Sequence, residues 1–223
     1  MTVPDGLPPQ GPTFDVPVPS PGYTFNPSGM TFSRATQIKR GTPWFFCCTG
    51  EGRFDLVGVE NVGTCHLAND DIGALREAAL GHTYRPGMSI APTLLTSRKL
   101  WSLVATSSWD EEPVADLQNE RWNATGVTPN LWGTSDYSIP QKLALELEKT
   151  GYVGLRAGLH LLVNPKRFAL ALFGNQGEQP NDHRFASQIQ REVDVEMVNL
   201  FAQETGIEIQ PAPVDSTEVD VIN

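Results

Sequence analysis

The sequence is short of cysteine. Of its 223 residues only Cys47, Cys48 and Cys65 are cysteines, and they form no C-x-x-C pair and no Cys/His metal-binding spacing. So odd and sparse a set argues against a disulfide framework and against a structural zinc site. We therefore predict a reduced, cytoplasmic protein with no bound metal and no resident cofactor.

Long hydrophobic runs and the common nucleotide-binding signatures are missing as well. No apolar run has the length of a membrane-spanning helix, and no signal peptide with a basic start and an apolar core is present. No G-x-G-x-x-G follows a strand pattern, and there is no P-loop. These absences argue against a membrane protein and against the common nucleotide-binding folds.

Basic residues are in the minority. Sixteen lysines and arginines stand against 26 aspartates and glutamates, which gives a formal net charge of -10 at pH 7. A chain this acidic is poorly suited to non-specific binding of nucleic acid or of an anionic membrane surface, so we predict neither as a partner. A local basic pocket for a phosphate-bearing ligand is compatible with this charge.

The chain begins with a segment rich in proline and glycine, residues 1–30. Proline interrupts helices and cannot donate to the ladder of a central strand, so this segment is expected to be an extended N-terminal arm. A folded domain is expected over residues 31–207. The acidic, proline-containing residues 208–223 are expected to form a C-terminal tail.

Periodicity and capping signals predict alternating groups of strands and helices in the domain. The predicted elements are strands at 31–35, 44–48, 64–67 and 100–105, helices at 71–80 and 138–149, a hairpin of 158–163 with 168–173, and a long helix over 182–205. The long helix is predicted because Phe185, Ile189, Val193, Met197 and Phe201 recur every four residues. This order indicates an α+β fold with mixed, largely antiparallel sheets and flanking helices.

The most informative stretch covers residues 50–77. Gly50 and Gly52 allow a turn that places Arg53, a short strand follows, and the next helix carries Glu77. A cation and a carboxylate set on nearby elements suit a substrate with anionic phosphates and a centre that becomes cationic during reaction. An Arg and a Glu this close in sequence are usually an ordinary surface ion pair, and the residues alone leave both interpretations open.

Four short motifs follow one another along the chain. They are Phe32-Ser33-Arg34, then Gly52-Arg53-Phe54-Asp55, then His66-Leu67-Ala68 with Glu77 in the following helix, and last Gly154-Leu155-Arg156 followed by Leu172-Phe173-Gly174. In this order, and with Glu77 eleven positions after His66, they resemble the RES domain family. That family is named for an arginine, a glutamate and a serine. The resemblance extends over roughly residues 30–175.

The resemblance implies an ADP-ribosyltransferase-like fold and an enzyme that breaks the nicotinamide–ribose bond of NAD. NAD would be the substrate, and the ribosyl group would pass to water or to phosphate. Several proteins of the family are toxins paired with an antitoxin, so the resemblance also implies an antitoxin partner and a homodimer. Two alternatives remain open: transfer of ADP-ribose to a macromolecule, and a catalytically impaired module that binds a nucleotide or a protein.

The resemblance also implies roles for single residues. Glu77 would be catalytic, because a carboxylate beneath the ribose stabilises the positive charge of the transition state. Arg34 and Arg53 would bind the oxygens of the pyrophosphate or ribose, with Arg40 as a competitor for the role of Arg34. His66 would contact NAD, or it would be a half-buried histidine with satisfied hydrogen bonds.

Two positions depart from the family pattern. His66 stands where the family has a tyrosine. The family serine should follow Gly154-Leu155-Arg156 within a few positions, where this chain reads Ala157-Gly158-Leu159-His160. Leu159 cannot replace a hydroxyl group, so the sequence predicts either a remodelled site or impaired chemistry.

Overall fold

The computed structural model describes residues 23–80, 84–106, 108–125, 127–128, 130–134, 136–159 and 166–211. Most of the expected N-terminal arm and C-terminal tail lie outside these residues. So do Gly81, the expected end of the first helix, and the expected hairpin turn at Asn164 and Pro165. None of the helices in the described ranges is long and apolar enough to cross a membrane.

The secondary structure alternates between strands and short helices. The strands are β1 (Thr24–Phe25), β2 (Thr31–Gln37), β3 (Phe45–Phe46), β4 (Val62–Ala68), β5 (Arg98–Ala105), β6 (Val114–Asp116), β7 (Gly154–Gly158), β8 (Phe168–Asn175), β9 (Gly177–Glu178) and β10 (Phe185–Glu192). The helices are α1 (Asp71–Leu80), α2 (Thr93–Thr96), α3 (Asn130–Gly133), α4 (Ser138–Lys149) and α5 (Val195–Thr205), with 3-10 turns at Ser108–Glu111 and Glu120–Thr125.

Eight strands form one sheet in the order β1-β6-β7-β8-β4-β2-β5-β10, and β3 pairs with β9. Neighbouring strands are antiparallel except β6 and β7, which are parallel. The predicted α+β class, with a largely antiparallel sheet and flanking helices, is therefore confirmed. The arrangement is that of an ADP-ribosyltransferase-like fold.

The sheet opens in its middle, between β2 and β4. Both strands are described in full, yet their register contains the single pair Ser33 and Ala68. On its other side β2 pairs with β5 along its whole length, and β4 likewise pairs with β8. Beyond Ser33 the two strands diverge, and Cys47 instead exchanges two backbone hydrogen bonds with Thr64 of β4, at 2.8 and 2.7 Å.

Helix α1 begins directly after β4 and borders this opening. The carboxylate of Asp70 accepts a hydrogen bond from the Gly73 amide at 2.6 Å, so Asp70 is the capping residue, as its side-chain type predicts. A Cβ atom on Gly73 would lie 3.0 Å from the Cβ of Ala68 and 3.1 Å from Leu159. The small residue thus lets the helix lie close against the sheet, with Glu77 in its second half.

The hydrophobic core has three parts. Apolar residues such as Leu75, Leu100 and Phe201 fill the space between the sheet, α1 and α5. A second cluster packs α4 against the strands β6 to β8. A third, rich in aromatic rings, includes Phe32 and Trp44. The opening between β2 and β4 lies among these parts.

The predicted helix over residues 182–205 is wrong in its first half. Phe185–Glu192 is strand β10, which pairs with β5 at the edge of the sheet, and only Val195–Thr205 is helical. Residues four apart share a face in a strand as well as in a helix, so this spacing does not distinguish a strand from a helix. Asp194 divides them, because its carboxylate accepts from the Met197 amide and begins the helix.

A buried ion pair anchors the start of β10. Arg184 donates to both oxygens of Asp182, at 2.9 and 2.7 Å, and to the Phe173 carbonyl on β8 at 3.3 Å. Burial by itself raises the pKa of the Asp182 carboxyl, but the hydrogen bonds and charge of Arg184 outweigh it and hold that pKa below its ordinary value. Asp182 therefore remains ionised and neutralises a buried guanidinium.

We expect Asp182→Ala to lower the free energy of unfolding by about 3–5 kcal/mol, because it leaves the buried Arg184 guanidinium with only the more distant Glu112, at 3.8 Å, as an anionic neighbour. Denaturant unfolding at neutral pH measures this. The matched control is Glu146→Ala, which removes the exposed ion pair with Lys149 and should cost less than about 1 kcal/mol. Equal effects of the two substitutions would contradict the prediction.

Candidate functional site

The opening between β2 and β4 widens into a cleft of about 470 Å³. It is lined from β2 by Arg34, Ala35, Thr36 and Gln37, from β4 by Thr64 and His66, from α1 by Ala74, Glu77, Ala78, Ala79 and Leu80, and from other segments by Arg40, Phe45, Cys47, Glu51, Gly52, Asp55 and Arg98. Cavities that hold small molecules have volumes of this order. A second, smaller cavity adjoins it and shares Glu51, Gly52, His66 and Glu77.

Glu77 and Arg53 form an ion pair at the boundary of these two cavities. The Nη2 atom of Arg53 lies 2.9 Å from Oε1 and 3.0 Å from Oε2 of Glu77. The side chain of Arg53 is 2% exposed and that of Glu77 is 11% exposed. The pair is therefore mostly buried, and the interpretation as an ordinary surface ion pair is wrong. One nitrogen shared by both oxygens fixes the orientation of the carboxylate.

Arg34 spans the gap between the diverging strands. From β2 its guanidinium donates to the Sγ of Cys65 on β4 and, at 2.7 Å, to the carbonyl of Phe45. Burial raises the pKa of the Cys65 thiol, and the nearby positive charge of Arg34 opposes that rise. Arg34 thus joins β2 to the segment that covers β4, while part of its side chain lines the cleft.

Two further arginines line the cleft. Arg40 lies over the ring of Phe45, 3.7 Å from its centre, and forms a 3.6 Å ion pair with Glu178. Arg98 donates from Nε to the Leu94 carbonyl, and burial lowers the pKa of its guanidinium. Within the described residues, no group of three or more His, Cys, Asp and Glu side chains is placed to hold a metal ion. Three arginines and three carboxylates, those of Glu51, Asp55 and Glu77, line the cleft, so it offers donors to an anionic group beside acceptors for a cationic one.

His66 and Asp55 form a second polar pair. The Nε2 atom of His66 lies 3.2 Å from Oδ1 of Asp55, which is fully buried, while the imidazole side chain is 22% exposed. The other oxygen of Asp55 accepts from the amides of Gly50 and Gly52 at 3.1 and 2.9 Å. Burial alone would raise the pKa of the Asp55 carboxyl, but His66 and the two amides outweigh burial and hold that pKa below 3.8.

The loop that carries Asp55 is fastened to α4. Gln141 donates from Nε2 to the carbonyls of both Gly50 and Gly52, each at 2.9 Å. Gly52 also has no room for a side chain, since a Cβ atom there would lie 2.2 Å from Oδ1 of Asp55 and 2.9 Å from Nε2 of His66. The loop therefore has one arrangement, and that arrangement holds the carboxylate against the imidazole.

The structure brings together most of the side chains that the sequence singled out. Arg34, His66 and Glu77 line the same cleft, whereas Arg53 lines the smaller adjoining cavity. Arg156, from the Gly-Leu-Arg motif, pairs with Asp116 on β6. Leu159 is fully buried and packs between the sheet and α1.

Sequence reasoning assigned no role to several residues of the site. Arg98 and Gln141 lie far from residues 50–77 in sequence, and no local signal marks them. Tyr137 lines the smaller cavity, where burial raises the pKa of its hydroxyl. Asp55 had a usable signal: a carboxylate just after two glycines often accepts from nearby backbone amides.

We expect Gly52→Ala to destabilise the protein by about 1–3 kcal/mol, because the added methyl group displaces Asp55 or His66. Thermal or denaturant unfolding measures the loss. Gly133→Ala is the matched control, since a Cβ atom there meets nothing within 4 Å. If both variants unfold like the wild type, the loop is not held as the structure shows.

The lowered pKa of Asp55 predicts a pH dependence of stability. A carboxyl whose pKa is lower in the folded state than its ordinary 3.8 stabilises the fold above that pH and loses this contribution as the pH falls below it. Asp55→Asn removes the contribution. The difference in unfolding free energy between wild type and variant should be greatest above about pH 5 and shrink toward pH 2. A difference that stays constant over this range would disprove it.

Comparison with known proteins adds one structural relative. No family model and no curated protein matches the chain. Among solved structures, a chain of the M. tuberculosis MbcT–MbcA toxin–antitoxin complex superposes with a TM-score of 0.55 at 14% sequence identity. The match covers 78% of this chain and 87% of that chain. At this level of identity, the similarity establishes a shared fold.

Proposed function

We propose that this protein cleaves the nicotinamide–ribose bond of NAD and acts as the toxin of a toxin–antitoxin pair. One observation carries the proposed activity: a ligand-sized cleft holds the fixed carboxylate of Glu77 together with Arg34, Arg40 and Arg98. NAD has the matching features, because it combines an anionic pyrophosphate with a ribose carbon that becomes cationic as nicotinamide leaves.

The arginines support a phosphate-bearing substrate. Three arginines line one cleft of a chain whose net charge is -10, alongside the carboxylates of Glu51, Asp55 and Glu77. A guanidinium has five N–H donors and binds phosphate oxygens in pairs. The Nη1 and Nη2 contacts of Arg34, to Cys65 and Phe45, use only part of this capacity. Arg34 can therefore be held by the protein and still donate to a pyrophosphate from the part of its side chain that lines the cleft.

Glu77 supports cleavage at the ribose. Nicotinamide departs as a neutral molecule and takes the bonding electrons, so the reaction needs no general acid for the leaving group. Positive charge develops on the ribose ring instead, and a preorganised carboxylate stabilises it. Because both Glu77 oxygens contact one nitrogen of Arg53, the carboxylate is oriented before substrate arrives. We propose that Arg53 orients Glu77. The three arginines of the cleft then bind the pyrophosphate.

The toxin role is supported by the structural relative. That relative is a chain of a toxin–antitoxin complex, and this protein spans 87% of it with the same fold. Consumption of NAD would deprive a cell of a central cofactor, which suits a toxin that must be restrained by a protein partner. We therefore propose an antitoxin as the partner of this chain and the cytoplasm as the place where both meet NAD.

Nicotinamide release from NAD by the purified protein, followed with and without phosphate, tests the activity. We expect Glu77→Gln to lower kcat by about 100-fold or more, because the neutral amide no longer stabilises the cationic ribose. Glu196→Gln, on the exposed face of α5, is the matched control and should behave like the wild type. Equal activity of Glu77→Gln and the control would contradict the role of Glu77.

A second candidate is a module that binds a nucleotide without turning it over. The burial of Leu159 favours it, because no hydroxyl replaces the family serine at that position. Binding of NAD by calorimetry, with no nicotinamide released under any condition, would support this candidate against the enzyme. Labelled ADP-ribose appearing on protein or nucleic acid would instead indicate a transferase.

A further inference from the structure

We propose that His66 is a general base that activates water in the cleft, that Asp55 is its positioning residue, and that water is therefore the acceptor of the ribosyl group. This inference rests on the proposed NAD cleavage and specifies its second substrate. It concerns the pair of His66 and Asp55, which takes no part in the stabilisation of the cationic ribose by Glu77.

The hydrogen bonds of Asp55 fix the tautomer of His66. An ionised carboxylate can only accept hydrogen bonds, and Asp55 already accepts from the Gly50 and Gly52 amides at its other oxygen. The Nε2 atom of His66, which faces Oδ1 at 3.2 Å, must therefore carry the hydrogen. In the neutral imidazole this leaves a lone pair on Nδ1, the tautomer that a carboxylate partner imposes on a histidine base.

The second nitrogen of His66 is available. Among the described residues, Nδ1 has no hydrogen-bond partner, whereas Nε2 is engaged by Asp55. The imidazole is partly exposed and lines both the main cleft and the smaller cavity, as Glu77 does. A histidine with a purely structural role would gain from pairing both nitrogens. The imidazole of His66 has one unpaired nitrogen and lines the two cavities that Glu77 also lines.

The support behind the imidazole is extensive. Gln141 on α4 holds the two glycine carbonyls, the same glycines donate their amides to Asp55, and Asp55 contacts His66. Three successive layers of contacts thus set the direction of one ring. A base must be held within hydrogen-bonding reach of the proton it removes, so such positioning is what general-base catalysis requires.

The reaction balances with water as the nucleophile. The bond between ribose C1 and the nicotinamide nitrogen breaks, and nicotinamide leaves with the electron pair. The water oxygen bonds to C1 while Nδ1 of His66 takes one of its protons. The imidazolium then releases that proton to solvent, which gives ADP-ribose, nicotinamide and one proton from NAD and water. Phosphate, by contrast, is already an anion at neutral pH and needs no base.

The titratable and charged groups that line the two cavities with His66 carry both signs. They are Glu51, Arg53 and Asp55 of the loop, Arg76 and Glu77 of α1, Tyr137 before α4, and Arg34, Arg40, Cys47 and Arg98 elsewhere in the main cleft. The carboxylate in contact with the imidazole is that of Asp55. The three arginines of the main cleft are those assigned to the pyrophosphate.

The test compares hydrolysis and phosphorolysis in His66→Gln, His66→Tyr and the wild type, with circular dichroism to confirm folding. We expect both variants to lose about 100-fold in kcat for hydrolysis, because neither side chain is a base at neutral pH. Tyrosine retains an aromatic ring and a hydroxyl, so it controls for stacking against NAD. Added phosphate should not raise nicotinamide release by the wild type, because water is the acceptor, and Asp55→Asn should lower kcat for hydrolysis more than it changes KM.

Full hydrolysis by His66→Tyr, or nicotinamide release by the wild type that depends on phosphate, would overturn the inference while leaving NAD cleavage intact. Absence of NAD loss in the wild type would overturn the proposed function and this inference together.

Discussion

The divergence of β2 from β4 is the constraint on which the site depends. Two strands that separate within a sheet leave backbone groups and an open space that the protein must fill. The segment around Cys47 takes over the pairing of β4 at Thr64, and the Arg34 guanidinium joins β2 to that segment. The space that remains is the cleft. Arg34 and His66 come from the two strands that diverge, and Glu77 comes from the helix that follows one of them.

Two buried arginines of this acidic chain lie in ion pairs. Arg53 with Glu77, and Arg184 with Asp182, are each buried together, so neither charge is left uncompensated. The arginines of the main cleft are anchored by a backbone carbonyl, a ring or a partly exposed glutamate. These contacts restrain the side chains without consuming all their donors. The same chain therefore contains arginines that serve its stability and arginines that are suited to a ligand.

An element of the fold could be predicted where the residues that determine it lie close together in the sequence. Helix α1 was predicted at its observed bounds, because its cap and its apolar positions lie within a dozen residues. Strand β10 was mistaken for a helix, because its partner β5 lies some 80 residues away and the four-residue spacing fits both structures. The burial of Leu159 beneath α1 could not be predicted either, since it depends on the helix and the strand meeting.

The sequence by itself determined the class of fold, the helix that carries Glu77, and the short distance along the chain between His66 and Glu77. These follow from periodicity, capping and spacing, which act within one or two elements. Only the tertiary structure decided that Arg53 is the partner of Glu77, that Asp55 holds His66, and that Arg98 shares the cleft with Arg34. The physical reason is that hydrogen bonds and ion pairs depend on distances of a few ångströms between side chains, and folding sets those distances among residues that are remote in sequence.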